Sequence, residues 1–261
     1  MEPKTHPKDL GSNLGCVPGT QPGSNLGAAL VDLETGVTSW VCRSKSDVLA
    51  QQFDQSANTV LCGLRNGAIV TVDVRENPER STRLIRHQIP YSSLGRRGGN
   101  STKQWFELKG NIYPSCTAYM SSSVCCLVSL RLYDQYFLAS SMDGSIKLYD
   151  HRMGKRGFIQ SYEGHVNSHT RSQLGVDQSE KFLVSGGGDC NLRLWSITSG
   201  EMLFEERIFE SFPSTVSWRK SGSVLKTSDE GIRTENCIGG ENLNWGAWFG
   251  SQEGLFHMHW S

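Results

Sequence analysis

The chain has no net charge: 26 Lys and Arg balance 26 Asp and Glu over 261 residues. That argues against a generally basic nucleic-acid binder, although a local patch remains compatible with it. No two of the eight cysteines, at positions 16, 42, 62, 116, 125, 126, 190 and 237, stand in a Cys-x-x-Cys spacing. Neither a zinc knuckle nor a redox dithiol is therefore signalled. Cys62, Cys125 and Cys126 fall in apolar runs, where a free thiol acts as a small hydrophobe. The expected use is reduced and intracellular, in the nucleus or the cytoplasm. The first fifteen residues contain no apolar stretch, which predicts neither a signal peptide nor a membrane span, so the sequon at Asn100 goes unused. There is no Walker loop, since the glycines at 186–188 lack the following Gly-Lys-Ser/Thr, and no Gly-x-Ser-x-Gly elbow. These absences predict a protein that is not an enzyme and has no catalytic residue, cofactor or metal.

What the chain does contain is a repeated hairpin. Residues 137–152 read FLASSMDGSIKLYDHR: a short apolar strand, a turn at Asp143-Gly144, and a second strand with Ile146 and Leu148 alternating with Lys147 and Tyr149. Alternation of period two is the pleat of a strand, and Asp-Gly between two such runs marks a hairpin. The pattern recurs at 59–75, TVLCGLRNGAIVTVDVR, and at 182–196, FLVSGGGDCNLRLWS. In each copy the turn residue (Asn66, Asp143, Asp189) stands six positions before a bulky strand-end residue (Val72, Tyr149, Trp195). Three hairpins in one register constitute an internal repeat.

Residues 1–25 are rich in Gly, Pro, Ser and Asn and read as a flexible lead-in, with GSNLG spelled twice. Residues 26–207 read as the repeat array. Asp73 and Asp150 are 77 positions apart but Asp150 and Ser196 only 46. One repeat is about 40–45 residues, so an insertion is expected, placed near 89–121. The run VCCLVSL at 124–130 predicts an inner strand packed on both faces. Residues 208–261 fit no repeat cleanly and form a tail or a degenerate further repeat, with strands at 215–218 and 254–260.

In the third repeat His165, Ser185, Asp189 and Trp195 fall at strand-entry, strand, turn and strand-end positions. A relay from Asp to His to Ser hydroxyl to indole N–H would pin one blade together. Ser185 lies within a strand, which favours this structural network over a catalytic triad. Four-stranded sheets repeating in this way stack radially as a propeller.

Gly164-His165 followed by Leu194-Trp195 resembles the WD-repeat family of β-propellers, with Ser196 departing at the final Asp. Val72-Asp73-Val74-Arg75 and Tyr149-Asp150-His151-Arg152 resemble the Trp-Asp-x-Arg box of the cullin-4-associated factors, degenerate at its first position. The resemblance implies an all-β WD-repeat propeller; by length the chain holds four to six blades, three of them clearly spelled, so an incomplete propeller is compatible with it. It implies a substrate receptor of a cullin-4 RING ubiquitin ligase, linking an unknown protein substrate to the large propeller-built adaptor of the cullin. Asp73, Arg75, Asp150 and Arg152 are then the adaptor-binding residues. On chemistry alone, each Asp can hold the Arg two positions on and aim it from the blade rim.

Two other readings stand beside this one. One is a WD-repeat scaffold without a ligase role. The other is RNA or DNA binding through the basic 75–109 segment, where eight Lys or Arg face three Asp or Glu and Arg80, Arg83, Arg86, Arg96 and Arg97 precede Trp105 and Phe106. His257 and His259 share a strand face, but only Cys237, at loose spacing, offers a third ligand, so an ordinary strand is expected there.

Overall fold

The computed structural model describes residues 14–19, 26–44, 46–75, 81–86, 104–168, 171–218, 224–226, 233–235 and 245–260. The chain divides into two compact units, Met1–Arg171 and Ser172–Ser261. The described residues are all-β apart from short 3-10 turns at Pro114–Cys116 and His151–Arg156.

The first unit has three antiparallel sheets. The first runs Leu14–Gly19, Leu26–Asp32, Thr38–Ser44, Gln104–Lys109, Ser81–Arg86 in spatial order. The second runs Val48–Phe53, Thr59–Leu64, Ala68–Asp73, Ala118–Tyr119, and the third Val124–Ser129, Tyr136–Ser141, Ile146–Asp150, Gln160–Tyr162. In the second unit, the fourth sheet runs Leu174–Val176, Phe182–Gly186, Asn191–Ser196, Met202–Arg207. Thr215–Trp218, Trp245–Ser251 and Gly254–Trp260 form a fifth sheet, and Val224–Lys226 pairs with Arg233–Glu235.

The three repeated hairpins are the middle pairs of the second, third and fourth sheets. Their registers coincide: Thr59 faces Asp73, Tyr136 faces Asp150 and Phe182 faces Ser196. Their turns are built alike. The side-chain oxygen of Asn66, Asp143 or Asp189 accepts a bond from the amide two residues on, at 3.0, 3.1 and 3.3 Å. The intervening residue has positive φ, +83° at Gly67 and +86° at Gly144, where glycine carries no Cβ penalty. In the third copy Cys190 takes that role at +65°.

Between the first and second sheets, residues of facing strands form one core, including Ala28, Val41, Cys42, Val60, Cys62, Val70 and Leu108. A second core joins the second and third sheets through Leu61, Ile69, Met120, Val124, Leu127, Phe137 and Tyr149. Tyr149 stacks on Phe137 with centroids 5.4 Å apart and donates its hydroxyl to the Tyr119 carbonyl at 3.1 Å. In the second unit, Val184 and Leu192 pack with Ala247 and Phe249 of the fifth sheet. Each sheet thus buries faces that it cannot cover alone, which is the logic of a stacked repeat.

Three parts of the sequence reading change. Residues 14–19, read as lead-in, form the edge strand of the first sheet. Of the insertion placed near 89–121, residues 104–109 and 118–119 are strands, while 87–103 lie outside the described residues. The strand Trp245–Ser251, central in the fifth sheet, was not anticipated. The chain leaves the second sheet after Asp73, adds Ser81–Arg86 and Gln104–Lys109 to the first, and returns to supply Ala118–Tyr119 as the fourth strand of the second. Such pairing is non-local and leaves no mark in a local pattern.

Candidate functional site

Asp73 and Asp150 end the third strands of the second and third sheets. In both, the strand end buries the carboxylate and the backbone turns just beyond it, in the second case as the 3-10 turn His151–Arg156, which folds the arginine two residues later back onto the aspartate. Arg75 donates from Nε to Asp73 Oδ1 at 3.0 Å and from Nη2 to Oδ2 at 2.6 Å, and its own backbone amide bonds Oδ1 at 2.9 Å. Arg152 repeats each bond on Asp150 at 3.0, 2.8 and 2.9 Å. The aspartate side chains are 1% and 9% exposed, the arginines 59% and 60%. Two buried carboxylates therefore fix two exposed guanidinium groups through parallel forks, the pre-organised bidentate pairing that Lys cannot make.

The electrostatics follow from the forks. The side-chain bond from Arg75 holds the Asp73 carboxyl well below the usual carboxylate range, and the Arg152 bond depresses Asp150. Each guanidinium is raised in turn by its aspartate. Tyr113, which sequence reasoning missed, donates its hydroxyl to Asp73 Oδ2 at 2.8 Å. It arrives there because 111–113 runs beside the strand, with Asp73 N bonding the Asn111 carbonyl at 3.0 Å and Tyr113 N the Thr71 carbonyl at 3.1 Å. Only a non-local signal could have found it.

The four residues read as a network lie in different units: His165 in the first, Ser185, Asp189 and Trp195 in the second. Ser185 and Trp195 are fully buried. The Ser185 hydroxyl bonds that of Ser172 at 3.1 Å and the Gln173 carbonyl at 3.3 Å. The carboxylate of Asp189 holds Arg193 through both oxygens, at 3.0 and 2.5 Å, and Arg193 also pairs with Glu205 at 2.6 Å. Arg193 is the buried partner that the sequence reading did not name. The signal was available, because a residue four positions beyond the turn lies near its carboxylate on the returning strand. His165 lines the third-sheet turn, where a Cβ on Gly144 would stand 2.6 Å from its carbonyl oxygen.

No group of three His, Cys, Asp or Glu suited to a metal occurs among the described residues. Of the basic segment, Arg83 is exposed and pairs loosely with Glu107 at 3.7 Å, whereas residues 76–80 and 87–103, with Arg80, Arg96 and Arg97, lie outside the described residues.

Known proteins share two repeats, stretches of sequence and the fold with this chain. The family described as "WD domain, G-beta repeat" matches residues 113–150 and 156–196. Each matched repeat supplies the last strand of one sheet and the first three of the next, so that sequence repeats and sheets are offset by one strand. The human DDB1- and CUL4-associated factor 4 is 32% identical over 160 residues, covering 61% of this chain and 26% of that protein. The human DDB1- and CUL4-associated factor 4-like protein 2 is 29% identical over 162 residues, 61% of this chain and 32% of the relative. The chain thus spans about a quarter to a third of the length of these relatives. A chain in the crystal structure of the mitotic checkpoint complex superposes with a TM-score of 0.54 at 14% identity, covering 99% of this chain and 86% of that one. The designed Ika8 protein gives 0.52 at 14% identity, over 92% and 57%. At such identities the likeness speaks for the fold alone, and it agrees with the all-β WD-repeat propeller class expected from the sequence. The chain carries WD40 repeats and, over three-fifths of its length, is similar to DDB1- and CUL4-associated factor 4 and its paralogue.

Proposed function

We propose that this chain is a non-catalytic interaction scaffold that serves as a substrate receptor of a cullin-4 RING ubiquitin ligase, with Arg75 and Arg152 contacting the adaptor DDB1. The observation that carries the reading is the duplicate fork: two neighbouring sheets end in the same Asp-x-Arg arrangement, matched atom for atom within 0.2 Å. Each guanidinium is three-fifths exposed, so its outward N–H groups are open to a partner while its inward ones are spent on the aspartate. A rigid donor fork with an apolar stem is a common interface anchor. The names of the similar relatives point to DDB1 and cullin-4 as the partners. Substrate recognition would fall to other loops of the same scaffold.

The test is capture of purified DDB1 by the immobilised chain, wild type beside Arg75→Gln/Arg152→Gln. Glutamine keeps a donor for each aspartate and removes the outward guanidinium. Loss of capture by a variant that still unfolds cooperatively, at a melting temperature lowered by the loss of the two cations, is expected. Capture equal to wild type removes the arginines from the contact.

A further inference from the structure

The sheet ends that carry the two arginines also carry large apolar side chains in the open. The turn after Val124–Ser129 exposes Leu132 and Tyr133, at 64% and 52%. This turn sits at the Arg152 end of the third sheet, because Tyr136 faces Asp150 in the register and His151 N bonds the Gln135 carbonyl at 2.9 Å. Met153, 43% exposed, directly follows Arg152, and Tyr113, 37% exposed, stands on Asp73. The short turns bearing these two are pressed together, since a Cβ on Gly154 would fall 2.5 Å from the Cys116 carbonyl oxygen. One rim of the second and third sheets therefore combines two guanidinium groups with apolar and aromatic side chains, the residue types enriched at interface hot spots.

The two forks add no net charge to this rim, and the turn that bears Leu132 and Tyr133 carries one charge of each sign, Arg131 and Asp134. Each guanidinium lies against a carboxylate at 2.6 or 2.8 Å, so each pair is a short dipole of zero net charge. Such a dipole attracts a distant acidic surface only weakly, and the carboxylate behind it repels an incoming one. The outward N–H groups still donate hydrogen bonds at contact distance.

We propose that this rim docks on a protein face, that of the adaptor, which is apolar and offers uncharged hydrogen-bond acceptors such as backbone carbonyls, with Leu132 and Tyr133 as its apolar anchors. The inference rests on the reading of Arg75 and Arg152 as the adaptor contact and adds the chemistry of the surface that they meet. Burial of the anchors supplies the affinity, and the guanidinium donors fix the register. Association is accordingly insensitive to salt, unlike a basic patch meeting an acidic one.

The experiment measures binding of the full chain to purified DDB1 by interferometry over a tenfold range of sodium chloride. The variants are Leu132→Ser/Tyr133→Ser, the volume-conserving Leu132→Met/Tyr133→Phe, and Arg75→Gln/Arg152→Gln. Three results are expected: the serine pair weakens binding about 30-fold or more, the conservative pair restores it, and the wild-type Kd shifts less than about threefold across the salt series. If the arginine pair abolishes binding while the serine pair binds as wild type, this inference falls and the adaptor reading stands. A steep rise of Kd with salt overturns the uncharged-acceptor surface in the same way. Failure of the wild type to bind at any salt overturns both.

Discussion

Asp73 and Asp150 owe their low protonation tendency to their arginines, and this has a sign in stability. A carboxyl held below its ordinary value binds fewer protons in the folded than in the unfolded chain through the intervening range. The stabilisation is complete above the unfolded value, near about 4, and drains away as pH falls toward the depressed values. Asp73→Asn/Asp150→Asn is expected to flatten the loss of stability below about pH 4, measured as melting temperature against pH. Gly144 makes a second residue-scale test. Its φ of +86° and the 2.6 Å approach to the His165 carbonyl both exclude a Cβ. Gly144→Ala should cost at least about 2 kcal/mol, read by denaturant unfolding. The sequence announced this turn, because Asp-Gly between alternating runs has few other uses. Tyr113 was hidden, because its bond to Asp73 spans 40 residues.

Strands and turns behave differently again. Arg193 is 3% exposed and is held between Asp189 and Glu205. Arg193→Ala leaves two carboxylates facing each other without their cation and should destabilise the second unit by about 2 kcal/mol, seen as a lower melting temperature. Hydrogen exchange should separate inner from outer strands. Amides of Thr59–Leu64, Ala68–Asp73 and Tyr136–Ser141, buried within their sheets, should be the slowest, and those of Met202–Arg207, exposed along most of its length at a sheet edge, among the fastest. The hairpins were legible because both of their strands and their turn are contiguous. Leu14–Gly19 was not: Gly-Cys-Val-Pro-Gly reads as loop, and only pairing with Leu26–Asp32 makes it a strand. Gln104–Lys109 escaped for the same reason, since its partners are a strand some twenty residues back and another sixty residues back.

For the molecule as a whole, two forks on two sheets meet one partner only if both are engaged together. Arg75→Gln and Arg152→Gln singly are expected to weaken DDB1 capture by about tenfold each, with the double change costing roughly the product. Titration of the three variants in parallel checks this, and a single variant with full loss would show that one sheet carries the contact. The fold class was readable here because a register repeated three times is a global property written locally. The proposed partner rests only on likeness to relatives, since two ion pairs at a sheet end name no protein.

The excursion between Asp73 and Ala118 has a consequence for biosynthesis. As the chain leaves the ribosome, the amino-terminal sheet stays unfinished until residue 109 has emerged, by which time three strands of its neighbour already exist. That neighbour in turn waits for residues 118–119. The first sheet is completed only shortly before its neighbour, so the two should acquire structure together rather than wedge by wedge. A nascent chain stalled between Asp73 and Gln104 leaves two incomplete edges for chaperones to shield.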